Sequence, residues 1–304
     1  MTIEGEKQAQ TFEKRPTPDL RLVYLAERVE VVPYVTLLEC EATEDKFAFE
    51  FGSERQFKTD SQIEQFRQPL IEFQTKGREF RDDPKARLVE VNSSWEGITL
   101  KFEGVRYSDY VITNNAMEIV VPDRNKTVRE ILEPGPVLTP LSESLSSNHL
   151  GLSCLVITKD HELILQNASG QKVTGAGQIT SSASGAMDWQ DGLPINPFEM
   201  MQAELYQELG LGQEHTFDIL AIALGRELAR GGKPEMFFVC KPQLSADEIL
   251  ALKASDPDKE VESLFKVDLP EDEFDLKEKL NKLISQDNIS QSTKAAIFYL
   301  SRYL

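Results

Sequence analysis

Apolar positions come in short runs split by polar turns, and the spacing within the runs changes along the chain. Leu20–Leu25, Val31–Cys40 and Phe47–Phe51 are brief apolar segments that predict strands. Ser61–Lys76 predicts a helix opened by the capping pattern Ser61-x-x-Glu64, with Pro69 placed to kink or restart it. Arg87–Val91, Gly97–Phe102 and Met117–Val121 predict further strands, and Lys126–Leu132 a short helix. These segments group as an α+β N-terminal domain over residues 19–133, after a loose polar stretch at 1–18. Residues 134–149 then predict a linker: Pro134, Pro136 and Pro140 are followed by the serine-rich Ser142–Asn148.

The pattern resumes at 150 and predicts a second domain to residue 304. Gly151–Thr158 predicts a strand, Lys159-Asp160 a turn and Glu162–Leu165 a returning strand. A stretch rich in Gly, Ser and Ala, Thr174–Ala186, precedes the strongest helix signal in the chain. Pro197-Phe198 opens that helix and Leu209-Gly210 closes it. Phe217–Leu224, Glu235–Cys240 and Ser263–Val267 predict strands; Ser245–Ala254, Leu276–Ile284 and Ser290–Tyr303 predict helices.

Composition narrows the classes. The 304 residues are 40% hydrophobic and 28% charged, as in a globular protein of about two domains. Apolar runs such as Leu150–Ile157 and Ile219–Leu224 are too short to span a bilayer, and Met1–Glu6 lacks the basic and apolar regions of a secretory signal. A cytoplasmic protein without membrane attachment is expected. A net charge of −18 argues against nonspecific nucleic-acid binding, which needs Lys and Arg to displace counterions. It also means that a phosphorylated small molecule would want divalent cations between itself and the protein. Cys40, Cys154 and Cys240 form no CxxC pair and are expected as reduced thiols, the last two buried in strands.

The helix at Pro197–Leu209 carries the candidate chemistry. Glu204 and Glu208 are four apart and share one helical face. Two carboxylates so placed repel each other, so they need solvent, a cation or a metal. Taken alone they read as a solvated acidic face. The segment Ala203-Glu204-Leu205-Tyr206-Gln207-Glu208-Leu209-Gly210-Leu211, however, resembles the end of the Nudix signature G-x5-E-x7-R-E-U-x-E-E-x-G-U, in which U is a bulky aliphatic. Gly185 and Asp191, with five residues between them, resemble its G-x5-E opening, with eleven residues instead of seven before Ala203. Ala203 stands where the signature has Arg, and Gln207 where it has the first Glu of the pair. In that family the Arg orients a catalytic glutamate.

The resemblance implies an α/β/α sandwich with a mixed sheet, preceded here by the α+β N-terminal domain. It implies hydrolysis of a pyrophosphate bond with Mg²⁺ or Mn²⁺, for which carboxylate oxygens are the preferred ligands. Glu204, Gln207 and Glu208 are then the metal ligands. Glu204, Glu208 and Glu262 are the catalytic candidates, with Glu262 as base or additional ligand. Gly185, Arg226 and Glu235 are candidates for substrate binding. Arg226 could fork onto phosphate or make a structural ion pair; Glu235 could face the metals or simply stand on an exposed strand. Asp188 and Asp191 could bind metal or form the turn. Tyr107, Tyr110 and Asn114 could line a sugar or base pocket, or pack. No G-x-S-x-G elbow accompanies Ser181–Ser184, which excludes serine hydrolysis of that type.

Within the superfamily the chain is similar to the UDP-glucose pyrophosphatase type. The likeness is carried by Lys85–Leu88, Tyr107–Asn114, Leu224–Glu227 with Gly231–Phe238, Asp258–Phe265 and Lys294–Leu300. It implies cleavage of a nucleoside diphosphate sugar to UMP and a sugar 1-phosphate, and is compatible with a homodimer. The altered signature leaves a second expectation open: a Nudix-fold protein that binds a nucleotide or a protein partner without hydrolysis.

Overall fold

The computed structural model describes residues 12–52, 57–76, 81–122, 124–170, 177–189, 196–212, 214–215, 217–252, 254 and 261–304. The expected Asp191, and Asp258–Glu260 of the acidic loop, lie outside them.

In the first half, β1 (Glu13–Lys14) leads to α1 (Leu20–Val23), then β2 (Tyr34–Ala42) and β3 (Phe47–Phe51). The segment at Leu20–Leu25, expected as a strand, is instead a single helical turn, because the Asp19 side chain caps it by accepting from the Arg21 amide. Next come α2 (Ser61–Glu64) and α3 (Arg67–Thr75). The expected single helix is broken at Gln65–Phe66, four and three residues before Pro69, whose ring would collide with the Gln65 carbonyl in a continuous helix. Asp60, rather than Ser61, caps the first piece, through the Gln62 amide. The hairpin β4 (Pro84–Ser94) and β5 (Gly97–Arg106) follows, then α4 (Tyr107–Ile112), β6 (Ile119–Val121), β7 (Lys126–Thr127) and α5 (Val128–Leu132). β3 pairs parallel with β5, giving a three-stranded sheet in the order β3-β5-β4.

The second half contains β8 (Gly151–Ile157), β9 (Glu162–Ala168), β10 (Ile179–Thr180), β11 (Ala183–Ala186), α6 (Pro197–Leu209), β12 (Phe217–Glu227), β13 (Lys233–Pro242), α7 (Ala246–Leu250), β14 (Val261–Asp268), α8 (Glu273–Ile284) and α9 (Gln291–Tyr303). Its sheet runs β10-β9-β8-β13-β12-β2, with β11 on β8 and β14 on β9. β8 and β13 are parallel and the remaining pairs antiparallel, so the sheet is mixed as expected.

Side chains alternate between the two faces of this sheet. Leu152, Cys154, Val156, Met236 and Phe238 share a core with Leu205 and Leu209 of α6. Leu155, Phe237 and Val239 share the opposite core with Leu280 and Leu283 of α8 and with Ile297 and Tyr299 of α9. This is the α/β/α sandwich. The β3-β5-β4 sheet adds a further layer over α6: Phe47 packs on Phe198, which packs edge-on against Phe238.

Backbone pairing crosses the boundary expected at 134–149 in two places. β2, read from the sequence as part of the N-terminal domain, is an edge strand of the second-half sheet, paired with β12. β4 is inserted at the other end, where the Ala86 amide donates to the Met187 carbonyl and the Leu150 amide to the Ala86 carbonyl. The serine-rich stretch is not a solvated linker. Ser144 and Ser146–His149 are buried, and Arg87 donates to the Leu141 and Ser144 carbonyls. All three cysteines are free thiols; Cys154 and Cys240 are buried and Cys40 is half-buried. No described helix is long and apolar enough to cross a membrane.

Candidate active site

The site is built on α6 and β11. The Asn196 side chain caps the helix by accepting from the Phe198 and Glu199 amides, while Glu199 returns the bond to the Asn196 amide. Pro197 stands at N1, and Gly210 closes the helix at φ 76°, the left-handed conformation that glycine adopts without strain. Glu199 is therefore spent on the cap, and the helix face that meets β11 presents Glu204 and Glu208.

Each carboxylate lies against its own residue of β11. Glu204 lies across Gly185: a Cβ there would stand 2.1 Å from Glu204 Oε1 and 2.6 Å from its Cδ. Glu208 reaches the neighbouring residue, and its Oε2 accepts from the Ser184 amide at 2.9 Å. Glu208 is buried, 4% exposed, whereas Glu204 is half-buried. The Gln166 amide, buried in β9, also donates to Glu208 Oε2, at 3.0 Å. Gln207, one residue before Glu208, is half-buried.

β11 reaches the carboxylates because β8 and β9 part company. They pair only at Val156–Ile164 and Ile157–Leu163, and residues 179–186 fill the split, Thr180 pairing with Gln166 and Ala183 with Cys154. The Ser182 hydroxyl bridges the opening by accepting from the Val156 amide and donating to the Ile164 carbonyl. Small residues are needed here: a larger chain at 185 would occupy the place of Glu204.

The other expected residues sit elsewhere. Glu262 is the extra residue of a bulge between Val261 and Ser263 of β14 and is exposed. Among the described residues no three His, Cys, Asp or Glu side chains gather into a group that could hold a metal by themselves. Glu262 thus does not close a three-carboxylate set with Glu204 and Glu208. Arg226 is 4% exposed; its Nε donates to the Gly232 carbonyl and its Nη1 to the Thr139 carbonyl, each at 2.8 Å. Those bonds tie the strand end to the proline-rich segment. Glu235 is buried rather than exposed. It alternates with Phe237 and so faces the α9 side of the sheet, opposite α6, where Tyr34 donates to it at 3.3 Å. Burial pushes the Glu235 carboxyl up and the neighbouring Lys233 ammonium down from their ordinary values.

Asp188 is ion-paired with Lys85 of β4. Tyr110 is buried on the ring of His149, and Asn114 donates to the Asn148 side chain and the Arg230 carbonyl. Both pack the two halves together. Gln166 is a site residue that the sequence does not single out; its signal is an amide, beside Asn167, that follows the apolar Leu163–Leu165 in β9.

The two carboxylates and the Gln207 amide offer hard oxygen donors, the chemistry that Mg²⁺ and Mn²⁺ prefer. Two protein carboxylates suffice for an ion that keeps several waters and takes its remaining ligands from substrate phosphates. The donor set fits such an ion in kind and in number.

No protein-family model matches the chain, and no curated protein matches it. Solved structures with a partial likeness include a MutT protein from Methanosarcina mazei Go1, 16% identical at a TM-score of 0.34, covering 51% of this chain and 94% of that one. A Nudix-family hydrolase from Clostridium perfringens is 14% identical at a TM-score of 0.32, covering 52% and 99%. The Ap4A hydrolase of C. elegans is 13% identical at 0.31, covering 51% and 97%. At these scores the site is read from its own geometry.

Proposed function

We propose that the chain is a divalent-metal-dependent pyrophosphohydrolase of the Nudix type, acting on a nucleoside diphosphate linked to a sugar and releasing UMP and a sugar 1-phosphate from a UDP-sugar. The observation that carries the reading is the pair Glu204 and Glu208, one turn apart on α6 and laid on the consecutive residues Gly185 and Ser184 of β11. Carboxylate oxygens one turn apart on a helix are the donors that hard divalent cations take. A divalent cation held there would neutralise the pyrophosphate and activate water for attack on phosphorus. Glu204, Glu208 and Gln207 would hold it. The overall charge of −18 makes the cation the more necessary, since a bare pyrophosphate is repelled by this surface.

The test is a panel of UDP-glucose, ADP-ribose, NADH, CoA and a diadenosine polyphosphate with Mg²⁺ or Mn²⁺, with products resolved by chromatography. Cleavage of UDP-glucose to UMP is expected, and Glu204→Gln should reduce turnover at least about 100-fold, the scale of losing a group that acts on the transition state. Unchanged turnover in that variant would end the mechanism. A second reading is favoured by Ala203, Gln207 and the committed oxygen of Glu208: a domain that binds a nucleotide and does not hydrolyse it. It predicts ligand-induced thermal stabilisation with no products across the whole panel.

A further inference from the structure

Gln166 has a place in this site that its residue type alone does not announce. It is wholly buried in β9 and belongs to neither the α6 helix nor its loop. One amide hydrogen goes to Glu208 Oε2 at 3.0 Å and the other to the Ser182 carbonyl. Its Oε1 accepts from the Thr180 hydroxyl at 3.5 Å. The orientation of the amide is fixed by these partners. Turned over, its oxygen would face a carbonyl and a carboxylate, both acceptors, and its nitrogen would lose both bonds. The Ser182 carbonyl is itself held in place, because the Ser182 hydroxyl spans the split between β8 and β9.

The geometry points to Gln166 as the positioning residue of Glu208: a neutral amide, anchored in the sheet, that fixes one carboxylate oxygen and hence the plane of the group. The inference rests on the pyrophosphohydrolase reading. Glu208 Oε2 receives two N–H groups, from Ser184 and Gln166, and a carboxylate held at two points cannot rotate about its terminal bond without losing one of them. Ser184 donates from the backbone of β11, and Gln166 donates from a side chain of β9. Glu204 lies close against Gly185 of β11. Ala203, on the same helix, has no donor to offer.

Positioning acts through another residue, so the test is a double-mutant cycle on the full chain. Gln166→Met keeps volume and removes the donor; Gln166→Glu keeps shape and serves as the second variant should the first fail to fold. Each is made alone and with Glu208→Gln. Mn²⁺ affinity is read from the paramagnetic resonance of the free ion, and UDP-glucose turnover is read in parallel. Gln166→Met is expected to weaken Mn²⁺ binding about 10- to 100-fold, the usual effect of removing a partner that orients a metal ligand. In the Glu208→Gln background it should add less than about 2-fold, because the group it positions is already gone. A loss that persists in that background means a general structural role and overturns the inference. So does wild-type Mn²⁺ affinity in either folded variant while the parent protein binds and cleaves. If the parent neither binds Mn²⁺ nor cleaves any substrate, the pyrophosphohydrolase reading itself fails and takes the inference with it.

Discussion

Replacing Gly185 by alanine is the sharpest single perturbation of the site. Its φ lies outside the left-handed region, so alanine meets no backbone strain there. The obstacle is Glu204. The new Cβ would stand 2.1 Å from Oε1, and the carboxylate must retreat by about 0.9 Å to reach 3.0 Å, below which such contacts are essentially never found. The atoms in the way are the end of a flexible side chain, so the fold survives, with an overpacking cost of about 1 kcal/mol. That corresponds to a fall in Tm of about 2–4 °C in a chain of this class. Function is more sensitive. A displacement near 1 Å in a group that must be aligned with the reacting atoms costs about 100-fold in rate, or roughly 2.7 kcal/mol of barrier. The assay is UDP-glucose turnover with Mg²⁺, beside Mn²⁺ affinity and a thermal melt. The prediction also requires Gly185→Ala to be nearly silent when combined with Glu204→Gln. A folded Gly185→Ala protein with unchanged turnover and unchanged Mn²⁺ affinity would refute the idea that Glu204 works from its place on Gly185.

Two further outcomes test the packing between the two halves. Arg129→Met should cost about 3–5 kcal/mol, because it leaves the buried Glu118 carboxylate without the guanidinium that meets it at 2.7 Å; the melting temperature should fall on the order of 10 °C, and adding Glu118→Gln should restore part of it. His149 is buried, with Nδ1 unpartnered, and burial first, then Lys233, Lys85 and Arg230, hold its pKa well below 6.5. The native state therefore refuses a proton that the unfolded chain accepts, so stability falls as the pH drops through 6.5 toward the native value, by up to about 1.4 kcal/mol per pH unit. Denaturation midpoints between pH 7.5 and 5 should show wild type losing stability relative to His149→Phe; a pH-independent difference would count against it.

Local signals were legible and non-local ones were not. Helix α6 was legible because Pro197 and Gly210 each act within one turn of the end they mark. The Asp19 cap is just as local, but the apolarity of Leu20–Leu25 points to a strand, whereas Leu22 and Leu25 are 70% and 72% exposed. β2 was recognised as a strand, yet its partner lies about 180 residues away in β12, and nothing in the run Tyr34–Ala42 names that partner. The proline- and serine-rich stretch carries linker composition. Its burial follows from distant groups: Asn114 holds Asn148, Glu133 accepts from Ser144, and Arg87 takes two of its carbonyls. Composition describes what a segment can do in water, and these partners remove the segment from water.

The same division runs through the site. Glu204 and Glu208 declare themselves by a spacing of four on a capped helix, so their shared face needed no knowledge of the rest of the fold. Arg226 and Glu235 also stand out, as charges in apolar strands, but a buried charge has two meanings that spacing cannot separate. It is held for chemistry, or it is held because it satisfies other buried groups. The Gly232 and Thr139 carbonyls accept from Arg226, and the α9-facing side of β13 separates Glu235 from the α6 carboxylates. Gln166 reverses the case. Forty-two positions from Glu208 and uncharged, it looks like an imperfection in a strand core. A primary amide in such a place is tolerated only when its hydrogens are bonded. Both of these are, one to the backbone of the split and one to Glu208, and it is this pairing that makes a strand residue part of the helix's chemistry.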